Sequence, residues 1–262
     1  MSGASEVAAR FDRVSEVYDE TREPLTKEAV DRLANILSQN GLKTLLEAGV
    51  GTGRIAIPLQ KRGFSIVGAD LSRGMLQKAK AKGLQDLLLG DANQLPFDDK
   101  TFDGVVLAHV IHLLEDPPAT FGRLARIAKK EIVAIVRRRD DVASRFTEDR
   151  GQIGELFRKA AEELGYPLNR PAGDWRQRFR KEEEFLSSFH PNELLTIDES
   201  LVITTAAERL SFFEKRAYGY PSDIPDEMFR RIMEIVKPSL DLEREIRYQR
   251  TEQVALWRLN GG

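Results

Sequence analysis

The sequence predicts an α/β fold, a doubly wound, seven-stranded and mostly parallel sheet, on three observations. Short, nearly continuous apolar runs alternate with amphipathic segments between residues 44 and 136, the pattern of parallel strands covered by helices on both faces. The first run opens into three alternate glycines, Gly49, Gly51 and Gly53, and the second ends on an acid, Asp70. Ligands of open α/β sheets bind where such turns leave the carboxyl ends of the strands.

The elements follow in order. Val7, Phe11, Val14 and Tyr18 are spaced four, three and four apart, which lines one face of an opening helix. A second helix is expected from Thr26, which can cap it, with Val30, Leu33, Ile36 and Leu37 on its apolar face and a stop at Asn40-Gly41. Strands are predicted at 44–48, 64–70, 86–91, 102–108 and 131–136, with a helix at 119–128 before the last. Beyond residue 140 come a helix over 143–164, a loop rich in proline and glycine at 165–174, and a longer strand at 193–205. Two helical patterns, broken at "GYPSDIP" (219–225), lead to a final strand at 252–259. With no repeat and no low-complexity linker, residues 1–262 read as one domain. It comprises a helical cap (1–40), a cofactor-binding core (41–140) and a C-terminal half (141–262) with a helical insertion at about 205–247.

Composition removes several function classes. Cysteine is absent and histidine occurs three times without metal-ligand spacing, so no disulfide and no protein-bound metal is expected. The first twenty residues lack an apolar leader and no segment approaches spanning length, so a cytoplasmic protein is expected. A net charge of −2 supplies no general basic face for nucleic acid. The run "RQRFRKEEEF" (176–185) reads as a solvated helix face.

The glycine turn poses the question of its ligand. "GTGRIA" (51–56) fits the dinucleotide pattern G-x-G-x-x-A, and no G-K-[ST] follows, which excludes a P-loop. Glu47 stands two residues before the first glycine. Pyrophosphate needs amide donors and no adjacent negative charge, whereas Glu47 suits a cation such as the α-amino group of methionine.

"LLEAGVGTGRIAIPL", "IVGADLSRGMLQKA", "LLLGDANQLPF" and "FDGVVLAHVIHLLED" together resemble, in order and spacing, the four core motifs of class I S-adenosylmethionine-dependent methyltransferases. The segment "FDRVSEVYDETREP" (11–24) resembles the one preceding the core in small-molecule and quinone-type members, with Ser15 where alanine is usual. The resemblance implies S-adenosylmethionine as cofactor, with S-adenosylhomocysteine as product. It implies Gly49, Gly51, Thr52 and Gly53 under the methionine part, with Glu47 beside it. Asp70 would take the ribose hydroxyls, Leu71 and Met75 the adenine ring face, and Asp91 with Ala92 the adenine edge. Tyr18 and Arg22 would close over the cofactor. His109, directly after the fourth strand, falls near the methyl group as cofactor contact and candidate proton acceptor, while His112 and His190 read as structural.

The implied function is methyl transfer to a small-molecule acceptor whose identity and reacting atom the sequence does not name. Acceptor contacts are expected from the opening helices and the insertion, where Phe212, Phe213, Tyr218 and Tyr220 lie. "RRRDD" (137–141) reads as solvated loop, although its arginines could hold an anionic acceptor. Two alternatives stand. One is an RNA or protein methyltransferase, disfavoured for amide and base nitrogens because "LAHV" replaces an N-P-P-Y-type tetrapeptide. The other is a non-catalytic or NAD-binding protein of the same fold.

Overall fold

The parallel strands form in the order their apolar runs dictate. In the computed structural model, which describes residues 3–138, 144–168, 175–216 and 224–259, α1 (Gly3–Val14) and α2 (Lys27–Gln39) precede β1 (Thr44–Ala48). Then follow α3 (Ala56–Gln60), β2 (Ser65–Asp70), α4 (Arg73–Ala81), β3 (Leu87–Leu89), β4 (Phe102–Ala108), α5 (Pro117–Ile127) and β5 (Ala128–Arg138). The remainder is α6 (Ser144–Glu163), α7 (Trp175–Phe189), β6 (Glu193–Thr205), α8 (Ala206–Glu214), α9 (Asp226–Val236) and β7 (Glu245–Arg258). The seven strands are ordered β3-β2-β1-β4-β5-β7-β6. β1 pairs in parallel with β2 and β4, and β5 pairs antiparallel with β7. The sequential order of the strands therefore reverses between the parallel neighbours β1 and β4, the switch point at whose carboxyl ends such sheets open a crevice.

Two compact units are present, one of residues 1–138, 179–199 and 251–262, the other of 139–178 and 200–250. The first unit buries Leu45, Leu46, Val105, Leu107, Ile132 and Ile135 completely, so both faces of its sheet are apolar, as a sheet covered on both sides requires. Phe121, Phe185, Phe189 and Trp257 pack as rings 4.7–5.8 Å apart, and the Trp257 indole donates to the Phe189 carbonyl at 3.0 Å. The second unit gathers α6, α8 and α9 around fully buried Phe157, Ile232 and Val236. It thus takes in α6, outside the 205–247 boundaries expected for the insertion.

The helix caps behave as the residues imply. Thr26 accepts from the Ala29 amide, and Asn40 caps the carboxyl end of α2, with Gly41 at φ +69°. The opening helix is shorter than its apolar spacing suggests. It stops at Val14, and a 3-10 turn over Asp19–Thr21 follows, so Tyr18 lies beyond the helix. Ser15 is the reason the chain can end there. Its hydroxyl donates to the Asp12 carbonyl at 2.9 Å, and a Cβ on Gly74 of α4 would meet its Oγ at 2.5 Å, so only small residues fit this crossing. β7 begins seven residues earlier than expected. Its first half alternates exposed Glu245, Arg247 and Gln249 with buried Ile246, Tyr248 and Arg250, and the charged alternates mask a strand whose buried side includes an arginine.

Candidate active site

The glycine turn between β1 and α3 is shaped by three left-handed backbone positions, with φ of +82°, +54° and +79° at Gly49, Gly51 and Gly53. Each excludes side chains differently. A Cβ on Gly49 would meet Val110 Cγ1 at 2.5 Å and one on Gly53 would meet Ile57 Cδ1 at 2.7 Å, whereas at Gly51 it would meet nothing within 4 Å. Gly49 is therefore required by packing as well as by its backbone, Gly53 mainly by its left-handed backbone, since the Ile57 tip can move, and Gly51 bares its backbone to open space, as a turn that receives a ligand needs. The Gly49 contact also seats the turn after β4, with Val110 and its neighbour His109, beside the turn after β1.

Asp70 ends β2 and is locked in place. Its Oδ2 accepts from the Gly51 amide at 2.8 Å and its Oδ1 from the Ser72 amide at 2.9 Å. Burial pushes the carboxyl upward in pKa, against the Ser72, Gly51 and Leu71 amides. Three amides on a carboxylate with about four acceptor sites leave room for a further donor. Glu47 is buried on β1, and burial pushes its carboxyl up to about 8, with Asp70 adding to the shift and the Ala56 amide and Arg54 opposing it. A group so placed is protonated at neutral pH and becomes an anion when a cation docks.

Of the adenine-side candidates, Asp91 and Ala92 follow β3, and Leu71 and Met75 follow β2. Asp91 Oδ1 accepts from the Asn93 amide at 2.8 Å and from its side-chain amide at 2.9 Å, leaving Oδ2 with no partner among the described residues. Ala92 and Leu71 are half-buried, whereas Met75 is fully enclosed and its amide donates to the Ser72 hydroxyl at 3.1 Å.

The opening helix and the segment after it are strapped down by Asp12 and Asp19, which the sequence reading did not single out. Thr52 Oγ1 donates to Asp19 Oδ1 at 2.5 Å, and Lys82 Nζ donates to Asp19 Oδ2 at 2.7 Å. Asp12 Oδ1 accepts from the Ser72 hydroxyl at 2.6 Å and the Gly74 amide at 2.9 Å. Arg54 donates to the Glu23 carbonyl. Burial lowers the Arg54 pKa, with Arg22 and Arg137 adding to it and Tyr18 and Asp19 opposing it. Arg22 lies 4.9 Å over the Tyr18 ring, a cation–π contact. The repeated acids of "FDRVSEVYDE" were visible in sequence, but only folding shows them meeting Ser72 and Thr52.

His109 stands at the end of β4 at φ +56°, and its amide donates to the Ile135 carbonyl at 3.0 Å. Its Nε2 lies 3.6 Å from Oε2 of Glu252, a fully buried residue of β7. Glu252 Oε1 in turn accepts from Arg137 Nε at 2.8 Å and Nη2 at 2.5 Å. Arg137 is therefore held by a buried carboxylate, which corrects its reading as solvated loop; Arg139, Asp140 and Asp141 of that stretch, with Tyr218 and Tyr220, lie outside the described residues. The run at 176–185 is corrected at two described positions, Glu182 and Phe185, the latter buried in the ring cluster with Phe121, Phe189 and Trp257. Arg180, Lys181, Glu183 and Glu184 are exposed, but Glu182 is 3% exposed and its Oε1 lies 2.9 Å from His112 Nδ1.

Comparison with known proteins bears on this turn. Residues 46–136 match the model of the methyltransferase domain. Over those residues the chain is similar to the methyltransferase domain. Over 133 residues it is 31% identical to a demethylmenaquinone methyltransferase of Renibacterium salmoninarum, covering 47% of this chain and 54% of that one. Over 124 residues it is 32% identical to a malonyl-[acyl-carrier protein] O-methyltransferase of Serratia marcescens, covering 47% and 48%. The chain spans about half the length of these relatives. The fold of the YcgJ protein from Bacillus subtilis matches with a TM-score of 0.52 at 14% identity, over 89% of this chain and 99% of that one. S-adenosylmethionine is the cofactor of this methyltransferase family. The open backbone at Gly51, the fixed Asp70 carboxylate and the protonated Glu47 of this core fit it.

Proposed function

We propose that this protein is an S-adenosylmethionine-dependent methyltransferase that moves a methyl group to a small-molecule acceptor by in-line displacement. One observation carries the reading: the glycine turn bares its backbone at Gly51 while the Gly51 amide itself fixes Asp70 at the end of β2. Bound S-adenosylmethionine supplies a methyl group already activated by its sulfonium. The chain's work is then to bind, orient and exclude water.

Gly49, Gly51, Thr52 and Gly53 form the cradle for the methionine part. Glu47 meets its ammonium, and Asp70 accepts from the ribose diol. Asp91, through Oδ2, and the Ala92 amide meet the adenine edge, and half-buried Leu71 contributes apolar surface, whereas Met75, enclosed beneath it, offers the ring none. Tyr18 and Arg22, on the strap held by Asp19, cover the cofactor. His109 flanks the methyl group. The names of the relatives, which include a quinone methyltransferase and an acyl-carrier O-methyltransferase, support a small organic acceptor. Among the described residues no helix is long and apolar enough to cross a membrane. A cysteine-free sequence suits our placement of the enzyme in the cytoplasm.

Calorimetric titration with S-adenosylmethionine, S-adenosylhomocysteine and NAD tests this on the wild type and Asp70→Ala. Both sulfur ligands should bind the wild type and lose at least tenfold in affinity in the variant, in line with two or more lost hydrogen bonds to a charged group. Binding of NAD alone would overturn the reading.

A further inference from the structure

Asp91 carries the first side chain beyond β3, because Gly90 before it has none. Leu89, the last residue of β3, is the register partner of Asp70, and the Gly90 amide donates to the Asp70 carbonyl at 3.0 Å. The two carboxylates therefore leave neighbouring strand ends, Asp70 at the proposed ribose and Asp91 at the proposed adenine edge. They are held by different means. Asp70 is gripped by backbone amides, whereas Asp91 depends in part on a side chain, that of Asn93.

Charge dictates the direction of that contact. An ionised carboxylate only accepts, so the nitrogen of the Asn93 side-chain amide faces Asp91 Oδ1 at 2.9 Å, beside the Asn93 backbone amide at 2.8 Å. The amide oxygen then points the other way and needs a donor. Thr120 of α5 supplies it, through Oγ1 to Asn93 Oδ1. The same hydroxyl lies 2.8 Å from the Asp116 carbonyl, but that carbonyl already receives the Thr120 amide at 3.0 Å. Asn93 Oδ1 has no other donor among the described residues. Thr120 is fully buried, so water cannot stand in for it. Three residues along the helix, on the same face, Arg123 donates to the Asn93 carbonyl at 2.7 Å. Helix α5 thus grips both the side chain and the backbone of Asn93. With Oδ1 taken by two donors, the plane of the Asp91 carboxylate is fixed and Oδ2 is the atom it presents.

We infer that Asn93, set by Thr120, is a positioning residue that fixes Asp91 as an acceptor and so makes the site select an aminopurine over an oxopurine. The inference rests on the methyltransferase reading, since it concerns the adenine edge of the proposed cofactor. An exocyclic amino group donates to Oδ2. An oxo group at the same place sets acceptor against acceptor, and a carboxylate fixed on Oδ1 cannot turn away from it. Asp91 is half-buried, so once released from Asn93 it can rotate toward solvent. The penalty on the oxo group then falls together with the gain from the amino group. Asn93 touches no cofactor in this scheme; it acts through Asp91.

Calorimetric titration of the full protein with S-adenosylhomocysteine and its deaminated analogue S-inosylhomocysteine reads the selectivity directly. The wild type should favour the adenosyl ligand by about tenfold or more, in line with one hydrogen bond to a charged group. Asn93→Ala and Thr120→Val should each cut that ratio by about threefold or more, while Thr120→Ser, which keeps the hydroxyl, should retain it. The Thr120 pair answers the question even if Asn93→Ala fails to fold. A merely structural role would weaken both ligands alike and leave the ratio at its wild-type value, and that result overturns the positioning role. So does a wild type indifferent to the two ligands, or a ratio that falls as far in Thr120→Ser as in Thr120→Val. Failure of S-adenosylhomocysteine to bind the wild type overturns the methyltransferase reading itself, and the inference with it.

Discussion

Replacing Glu47 by glutamine should make the ligand-free protein more stable near neutral pH. The carboxyl is buried on β1 and its pKa is pushed up to about 8, from an ordinary value of 4.5. In the unfolded chain it ionises on passing its ordinary value, while in the folded chain it keeps its proton until about 8. Between those values the folded state binds the extra proton, so stability falls as pH rises and is fully restored only below the unfolded value. Each pH unit climbed costs up to about 1.4 kcal/mol, so by neutrality the handicap approaches about 3 kcal/mol. Glutamine has the shape of the protonated acid and can still accept from the Ala56 amide, yet it carries no such slope. Thermal unfolding at about pH 5 and about pH 7.5 should therefore show a small gain in the first case and roughly 5–10 °C in the second. Cofactor affinity should fall in the same variant, because the cation loses its counter-charge. In the wild type, cofactor binding near neutrality should release a proton, read from calorimetry in buffers of different ionisation enthalpy. Equal stability changes at both pH values would refute the reasoning, whatever their sign.

Three further outcomes are expected. Gly49→Ala should lower stability by several kcal/mol, since both the left-handed backbone and the Val110 contact at 2.5 Å resist a side chain. Gly51→Ala meets open space, so it should cost only about 1–2 kcal/mol in unfolding experiments while weakening cofactor binding; equal losses of stability at the two sites would contradict the assignment. Thr52→Val removes the hydroxyl that reaches Asp19, and should raise hydrogen exchange across residues 3–22 with little change in the sheet, because half-exposed pairs contribute under about 1 kcal/mol. Glu182→Ala strips the buried partner of His112 and should destabilise by about 1–3 kcal/mol in denaturant titration without altering cofactor affinity; a variant as stable as the wild type would show the pair to be incidental.

Much of the core was legible because its signals are local. A strand buried on both faces must be apolar along its length, which is why 44–48 and 102–108 could be bounded to the residue. A left-handed turn over a ligand demands glycine, so Gly49, Gly51 and Gly53 announce themselves by spacing alone. Asp70 is legible for the same reason, as an acid ending an apolar run. The longer-range polar contacts were not. Tyr18 lies on the helical spacing of Val7, Phe11 and Val14, yet the helix ends four residues before it, because Ser15 must pass against Gly74 of another element. The first half of β7 reads as polar because its alternate residues face solvent and one buried position is Arg250.

The sequence by itself determined the order of the strands and helices, the parallel sheet and the place of the cofactor turn, since each follows from hydrophobic period and backbone permission within a few residues. Tertiary structure alone decided that Asp19 clasps Thr52, that Glu182 is buried against His112, and that Glu252 stands behind His109 with Arg137 as its counter-ion. These pairs are 33, 70, 143 and 115 residues apart. A charge carries no period that marks its partner, and whether it is solvated or buried is settled only when distant strands and helices close around it.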